Sequence, residues 1–331
     1  MMGGHTPLAV TMGDPAGING EIIAKAWQAY HHRPEFCFFV IGCPQWLSLE
    51  AQKLGCNIAI IERPDQALSR FSMHIPVLPL PLITAPIHGI SLPQNAPVIV
   101  QSIDRAVAFV KRGQASAIVT LPLHKAVFGD AGLNFYGHTE YLATLDHRTN
   151  VIMMLANDEL RVVPLTIHVP LAQVPPLITP ALLHKSLGIL HDALQRDFGI
   201  HHPKIAVSGL NPHAGEGGLL GFEETQIIKP TLEKSRAQGL FIDGPLPADS
   251  LFHPPMRRQY DAILCMYHDQ ALIPIKMLDF EKAVNITLGL SFIRTSPDHG
   301  TAYDLAGKGI ASPHSLIAAI KMAHELHMVR H

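Results

Sequence analysis

Nowhere in the 331 residues is there a run of about 18 apolar residues, so no membrane-spanning helix is expected. The four cysteines, Cys37, Cys43, Cys56 and Cys265, form no CxxC pair. That argues against a disulfide framework and against a cysteine-ligated zinc, and it fits a reducing cytoplasm. Charge is also scarce. Only 16% of residues are charged and the net is −2, which leaves no electrostatic footprint for nucleic acid. The N-terminal MMGGHTPLAV has no basic flank before a long apolar segment, so no signal peptide is expected. Neither an internal repeat nor a low-complexity segment is present.

What remains is a chain built for a core. Hydrophobic residues make up 47%, which excludes disorder, and the length suggests about two domains. Leu8–Thr11, Phe36–Ile41, Ile58–Ile61, Ala117–Thr120, Lys204–Val207, Ala262–Met266 and Val284–Leu288 read as strands, and Val151–Leu155 with Arg161–Ile167 as a pair. Helical spacing recurs over Glu21–Tyr30, Gln45–Leu54, Val98–Lys111, Thr179–Asp197, Phe222–Ala237 and His314–Leu326. The proline-rich stretch 75–97 reads as an extended surface connection with one edge strand. Strands alternating with helices predict an α/β protein with a mostly parallel sheet.

In such sheets ligands bind just beyond the carboxyl ends of strands. Three strand-like runs end near a histidine: His168, His213 and His268. Neutral imidazole is the commonest metal ligand, and three of them leave an open coordination position. The competing reading is three unrelated loop histidines, in keeping with a chain that has 21 histidines in all. Tyr267-His268-Asp269-Gln270 sits between two apolar runs, the second of which delivers Lys276. Lys276 and Arg294 are cations suited to phosphate or carboxylate, or else ordinary surface ion-pair residues. His138 and Thr139 open a helix over Glu140–Leu145, with Thr139 as its cap; an anion could sit there, though an ordinary capped start explains the pattern as well. The loop Gly13–Gly20, GDPAGING, follows the first strand but matches neither GxGxxG nor a P-loop. It is either an anion cradle or a tight turn needing glycine dihedrals. The loop 209–218 is glycine-rich and polar, as a backbone approaching a ligand would be, and Gly244–Asp249 is a rigid turn presenting a carboxylate.

The segments GDPAGI, GHTE, LNPHAGEGG, GPLPAD, MYHDQ and SFIRTSPDHGTAYDLAGKG, in that order along nearly the whole chain, resemble the 4-hydroxythreonine-4-phosphate dehydrogenase family of pyridoxine biosynthesis. DHGTAYDLAGKG is also similar to the cofactor loop of isopropylmalate and isocitrate dehydrogenases. The resemblance implies two α/β/α domains with an active site in the interdomain cleft: 1–137 with 295–331 on the cofactor side, and 138–294 on the metal and dimerisation side. It implies NAD- or NADP-linked oxidation and decarboxylation of 4-phosphooxy-L-threonine to 3-amino-2-oxopropyl phosphate and CO2. It implies a divalent metal on His168, His213 and His268, zinc first, with magnesium or cobalt as alternatives. Substrate contacts fall on His138, Thr139, Lys276, Asn285 and Arg294, and the cofactor loop on His299, Gly300, Thr301, Ala302 and Asp304. A cytoplasmic homodimer with the active site at the subunit interface is implied, with no nucleic-acid or membrane partner. Asp249, Asp269 and Lys276 are the candidates for proton transfer or for orienting the ligand imidazoles.

Two departures stand out. The family's usual GIGPE is here Gly17-Ile18-Asn19-Gly20-Glu21, and Leu121 stands before Pro122 where a small residue is usual. Both bear on the shape of the first-domain loops. The alternatives are a related dehydrogenase acting on 4-phospho-threonate or 4-phospho-erythronate, a three-histidine metal-dependent hydrolase, an acyltransferase of related fold, and a non-catalytic binding protein. The DHGTAYDLAGKG loop disfavours the hydrolase, the three histidines disfavour the acyltransferase, and the polar groups at strand ends disfavour the binding protein.

Overall fold

A computed structural model of the chain describes residues 6–135 and 137–331. Met1–His5, where part of the N-terminal reading falls, and Tyr136 lie outside the described residues. The strands are β1 (Leu8–Thr11), β2 (Phe38–Gly42), β3 (Ile58–Ile60), β4 (Ile75–Pro79), β5 (Ile118–Val119), β6 (Ile152–Ala156), β7 (Arg161–Thr166), β8 (Lys204–Ser208), β9 (Phe241–Leu246), β10 (Ala262–Tyr267), β11 (Val284–Leu288) and β12 (Arg294–Pro297). The chain divides into two units, Met1–Thr149 with Leu290–Met328, and Asn150–Gly289 with Val329–His331.

In the first unit the strand order is β3-β4-β2-β1-β5-β12, and every pairing is parallel. Helices Asn19–Tyr30, Pro44–Gln52 and Ala96–Lys111 cover it. Their buried residues follow the expected spacing: Ile22, Ile23, Ala26 and Trp27 on the first, and Ile99, Ile103 and Val107 on the third. The core is aromatic and β-branched, with Phe38 edge-on to Phe71 at 5.1 Å. The stretch 75–97 departs from expectation. β4 is an interior, mostly buried strand, and β3 is the edge. Pro76 is tolerated because its neighbours complete the ladder: the Ile75 amide donates to Asn57, and Val77 accepts from Ile61.

The second unit has the order β11-β6-β7-β10-β8-β9. β7, β10, β8 and β9 run parallel, while β6 is antiparallel to both β11 and β7. Its core joins Leu155, Val162, Ala206, Ile263 and Cys265 to Ala271, Leu272 and Ile275 of the helix His268–Leu278. Burying Leu272 and Ile275 contributes about 1.5–3 kcal/mol each, which pins that helix to the sheet. The helix Pro180–Arg196 is capped by Thr179, whose hydroxyl accepts from the Leu182 amide. The helical segment expected over 222–237 begins as a π-helical turn, Glu224–Ile228, before the α-helix Lys229–Ala237.

One buried carboxylate ties the first unit together locally. Asp146 follows the helix His138–Leu145 and accepts from the Ser291 amide and hydroxyl, both at 2.6 Å, with Lys111 Nζ at 3.1 Å. Burial raises its pKa, but the Ser291 bonds and the Lys111 charge prevail and hold it below the usual carboxylate value. A depressed folded pKa contributes stability above the unfolded pKa and loses it as pH falls through the folded one. Asp146→Asn is therefore expected to cost about 1–3 kcal/mol at pH 7. The gap from wild type should shrink as pH drops below about 4, which urea unfolding at pH 7 and pH 3 checks.

Candidate active site

In the second unit three neighbouring parallel strands, β7, β10 and β8, end at one edge of the sheet. His168 lies two residues past β7, His268 directly follows β10, and His213 sits in the loop after β8. The Thr166 hydroxyl donates to Met266 O at 2.8 Å and stitches the first two strand ends together. The rings of His168 and His268 come within 5.8 Å, centroid to centroid. Asp269 Oδ1 lies 2.7 Å from His268 Nδ1, where a carboxylate favours the tautomer with the proton on Nδ1. Thr166, His168, Val174, Tyr267, His268 and Asp269 line a cavity of about 340 Å³.

Gln270, which the sequence reading passed over, joins the His268 and His213 loops. Its Oε1 accepts from the Ser208 hydroxyl and the Met266 amide, both at 2.7 Å, and its Nε2 donates to Gly209 O at 2.8 Å. Glu224, also missed, holds the His213 loop. Its carboxylate accepts from the amides of Leu210 and Asn211 and from Asn211 Nδ2. The grip has a reason: His213 through Gly217 are all left-handed, with φ between 42° and 76°. For His213, Ala214 and Glu216 that costs about 1–2 kcal/mol each. Nothing in the sequence sets Glu224 apart from the neighbouring Glu223; its burial shows only in the structure.

Among the described residues no three His, Cys, Asp or Glu side chains gather closely enough to hold a metal. His168 and His268 come together with Asp269, while His213 stays on the adjoining loop. The chemistry of the donors fits a divalent ion: two neighbouring imidazoles, one beside a carboxylate, with a third in the loop after the next strand. Asp249 is exposed in the short helix Ala248–Leu251 after β9. Lys276 lies on the helix that starts at His268, its Nζ 5.3 Å from the Phe280 ring centre, and Asn285 is on β11 opposite Leu155.

The first unit holds two of the expected substrate-contact residues, Arg294 and His138. Arg294 opens β12 and is 3% exposed, with Nε and Nη2 donating to Thr120 Oγ1 at 2.9 and 2.6 Å. Burial pushes its pKa down to about 9, so it stays a cation at neutral pH. His138 Nε2 is enclosed without a hydrogen-bond partner. Burial, then the Arg294 charge, hold the His138 imidazole well below the usual histidine value. A buried guanidinium and an unsatisfied ring nitrogen suit a phosphate or carboxylate oxygen. Thr139 is not the cap: the helix starts at His138, with Gly137 at the capping position. Gly137 has the extended backbone a cap needs, so Thr139 falls inside the first turn.

The remaining loops also lie in the first unit. His299 Nδ1 contacts Gly300 O at 2.8 Å, its Nε2 is enclosed without a partner, Ala302 is left-handed, and Asp304 is exposed. Thr301 O accepts from the Ile18 amide at 3.2 Å. The GDPAGING segment is a tight, filled turn. Asn19 Nδ2 donates to Asp14 O at 3.0 Å and Pro122 O at 2.8 Å, and a Cβ on Gly13 would lie 2.3 Å from that nitrogen. The departure at Asn19 is thus a clamp between two loops.

Residues 35–323 match the family described as pyridoxal phosphate biosynthetic protein PdxA. A 4-hydroxythreonine-4-phosphate dehydrogenase of Caulobacter vibrioides is 48% identical over 326 residues, 97% of each chain. One of a Ruegeria species is 46% identical over 331 residues, 100% of this chain and 99% of its own. The crystal structure of 4-hydroxythreonine-4-phosphate dehydrogenase from Klebsiella pneumoniae is similar with a TM-score of 0.88 and 38% identity, over 98% of both chains.

The electrostatics of His138 can be checked directly. Its ring should remain neutral well below the usual histidine midpoint when followed by NMR. Arg294→Met should move the midpoint upward but only part of the way, because burial is the larger cause. A midpoint unmoved by that substitution would show that the two side chains do not share a site.

Proposed function

The chain belongs to the PdxA family of pyridoxal phosphate biosynthetic proteins, and on that premise we infer that it is a 4-hydroxythreonine-4-phosphate dehydrogenase. It oxidises and decarboxylates 4-phosphooxy-L-threonine, with NAD or NADP as acceptor, to 3-amino-2-oxopropyl phosphate and CO2. The observation that carries the reading is the buried Arg294 with the unpartnered His138 Nε2, a pair that calls for an anionic oxygen. The substrate brings a phosphate and a carboxylate.

His168, His268 and His213 are the proposed holders of a divalent ion, zinc by preference for imidazole. Such an ion would supply Lewis-acid polarisation of a substrate oxygen, and a nicotinamide would supply the hydride acceptor. The chain's own residues do the rest. Asp269 keeps His268 in the ligating tautomer, and Gln270 and Thr166 hold the loops that carry the histidines. Arg294 and the neutral His138 bind and orient the anionic end, joined in this proposal by Thr139 and Asn285. Lys276 and Asp249 are the proposed proton carriers: one takes the hydroxyl proton during oxidation, the other returns a proton to carbon after CO2 departs.

Three further elements belong to the proposal. The first unit takes the cofactor at His299–Ala302 and Asp304, and the second takes metal and a second copy of the chain. Leu219, Leu220 and Phe222, next to the His213 loop, and Ile273, Met277 and Phe280, around Lys276, are exposed apolar residues that support such an interface. Four buried free cysteines support a reducing compartment, here the cytoplasm, and no helix among the described residues is long and apolar enough to cross a membrane.

Metal-loaded protein with 4-phosphooxy-L-threonine should reduce NAD or NADP and release CO2, and a chelator should stop both. 4-phospho-threonate should turn over poorly; the reverse preference would reassign the substrate. His268→Ala should lower metal affinity by about 100-fold or more, since even outer-shell partners are worth 10–100-fold. Arg294→Met should raise substrate KM by about 10–100-fold, the worth of a charge-assisted bond. No reduced nicotinamide with either substrate and either cofactor would overturn the reading.

A further inference from the structure

The Gly13–Glu21 turn has more to do than reverse the chain. Asp14 is 1% exposed, and its carboxylate accepts three bonds. Oδ1 takes the Ala16 amide at 2.9 Å, and Oδ2 takes the hydroxyls of Ser91 at 2.7 Å and Tyr303 at 2.6 Å. Neither hydroxyl is close to Asp14 in sequence, and Tyr303 lies inside the loop proposed for the cofactor. The backbone follows the same course. The Ile18 amide donates to Thr301 O, and a Cβ on Gly17 would stand 2.4 Å from that oxygen. At the loop's far end Glu21 accepts the Ala311 amide at 2.7 Å, and Lys25 donates to the carbonyls of Gly309 and Ala311.

The 299–311 segment is therefore fastened at two points by one turn and the helix behind it. Between the fastenings lie Asp304, Gly307 and Lys308, all exposed. Glycines 307 and 309 have positive φ and contribute no stiffness of their own. The loop's shape must come from what grips it. Tyr303 keeps its proton at any working pH, because burial, reinforced by Asp14, lifts the phenol to about 12.

We propose that Asp14 is a positioning residue for the nicotinamide cofactor: through Tyr303 it fixes the backbone of His299–Asp304 in the shape the dinucleotide requires, without touching substrate or metal. This rests on the cofactor reading of that loop. Ser91 belongs to the same unit of action, because it shares Oδ2 with Tyr303.

Tyr303→Phe removes one hydroxyl and keeps the ring, and Asp14→Asn keeps the volume and removes the charge. In each, cofactor KM and the Kd for reduced nicotinamide, read from its fluorescence, should rise about tenfold, the worth of a bond to a charged acceptor. Substrate KM, kcat at saturating cofactor and metal affinity should stay within about twofold, a split that general loosening of the fold would not give. The double variant should be no worse than the weaker-binding single, because the two side chains act through one bond. Should Asp14→Asn fold poorly, Tyr303→Phe alone decides. A cofactor Kd within twofold of wild type in Tyr303→Phe, or equal losses in substrate and cofactor binding, would overturn the proposal. Wild-type protein that binds no reduced nicotinamide would instead bring down the cofactor reading beneath it, and that is seen before any variant is made.

Discussion

The side-chain amide of Gln270 bridges two strand ends at once, taking the Met266 amide at the end of β10 and the Ser208 hydroxyl at the end of β8 while giving its own proton to Gly209. Parallel strands set side by side bring their carboxyl ends to one edge, but the loops beyond them are free to splay. Gln270 removes that freedom for the His268 and His213 loops, as Thr166 does for β7 and β10. With Glu224 holding the left-handed turn at 213–217, the second unit keeps its histidines on pre-set backbones. A site assembled this way gives up little entropy when a ligand arrives.

The first unit solves a different problem. Three of its charged groups are buried: Arg294 against Thr120, Asp14 beneath two hydroxyls, Asp146 under Ser291. Each burial costs desolvation energy that hydrogen bonds from fixed neighbours offset. Arg294 is buried deeply enough that desolvation lowers its pKa.

Much of this was legible in the residues. Apolar runs followed by His168, His213 and His268 marked the strand ends, because a buried strand must stop where polar side chains begin. The helices over 19–30 and 96–111 followed from spacing. Long-range pairs left no trace: Asp14 and Tyr303 are 289 positions apart, and nothing local tells an acid in a glycine turn which hydroxyl it will meet. The interior place of β4 was hidden by its prolines, since composition cannot say on which side of a strand the missing amide falls. Thr139 was misread because a threonine before a glutamate resembles a cap, whereas the extended Gly137 takes the position. Whether three such side chains gather closely, which they do not among the described residues, also lay beyond sequence, which records spacing but not distance.

The Asn19-Gly20 departure carries a consequence for how such chains can diverge. A Cβ on Gly20 would lie 2.6 Å from Glu50 Cγ and 3.2 Å from the Trp46 ring, and Glu50 Oε1 in turn holds Lys53 at 2.8 Å. A relative with proline at position 20 has no room for that glutamate in this rotamer. Positions 20 and 50 are therefore expected to change hands together during descent, with the Lys53 partnership inherited only by lineages that kept the glycine.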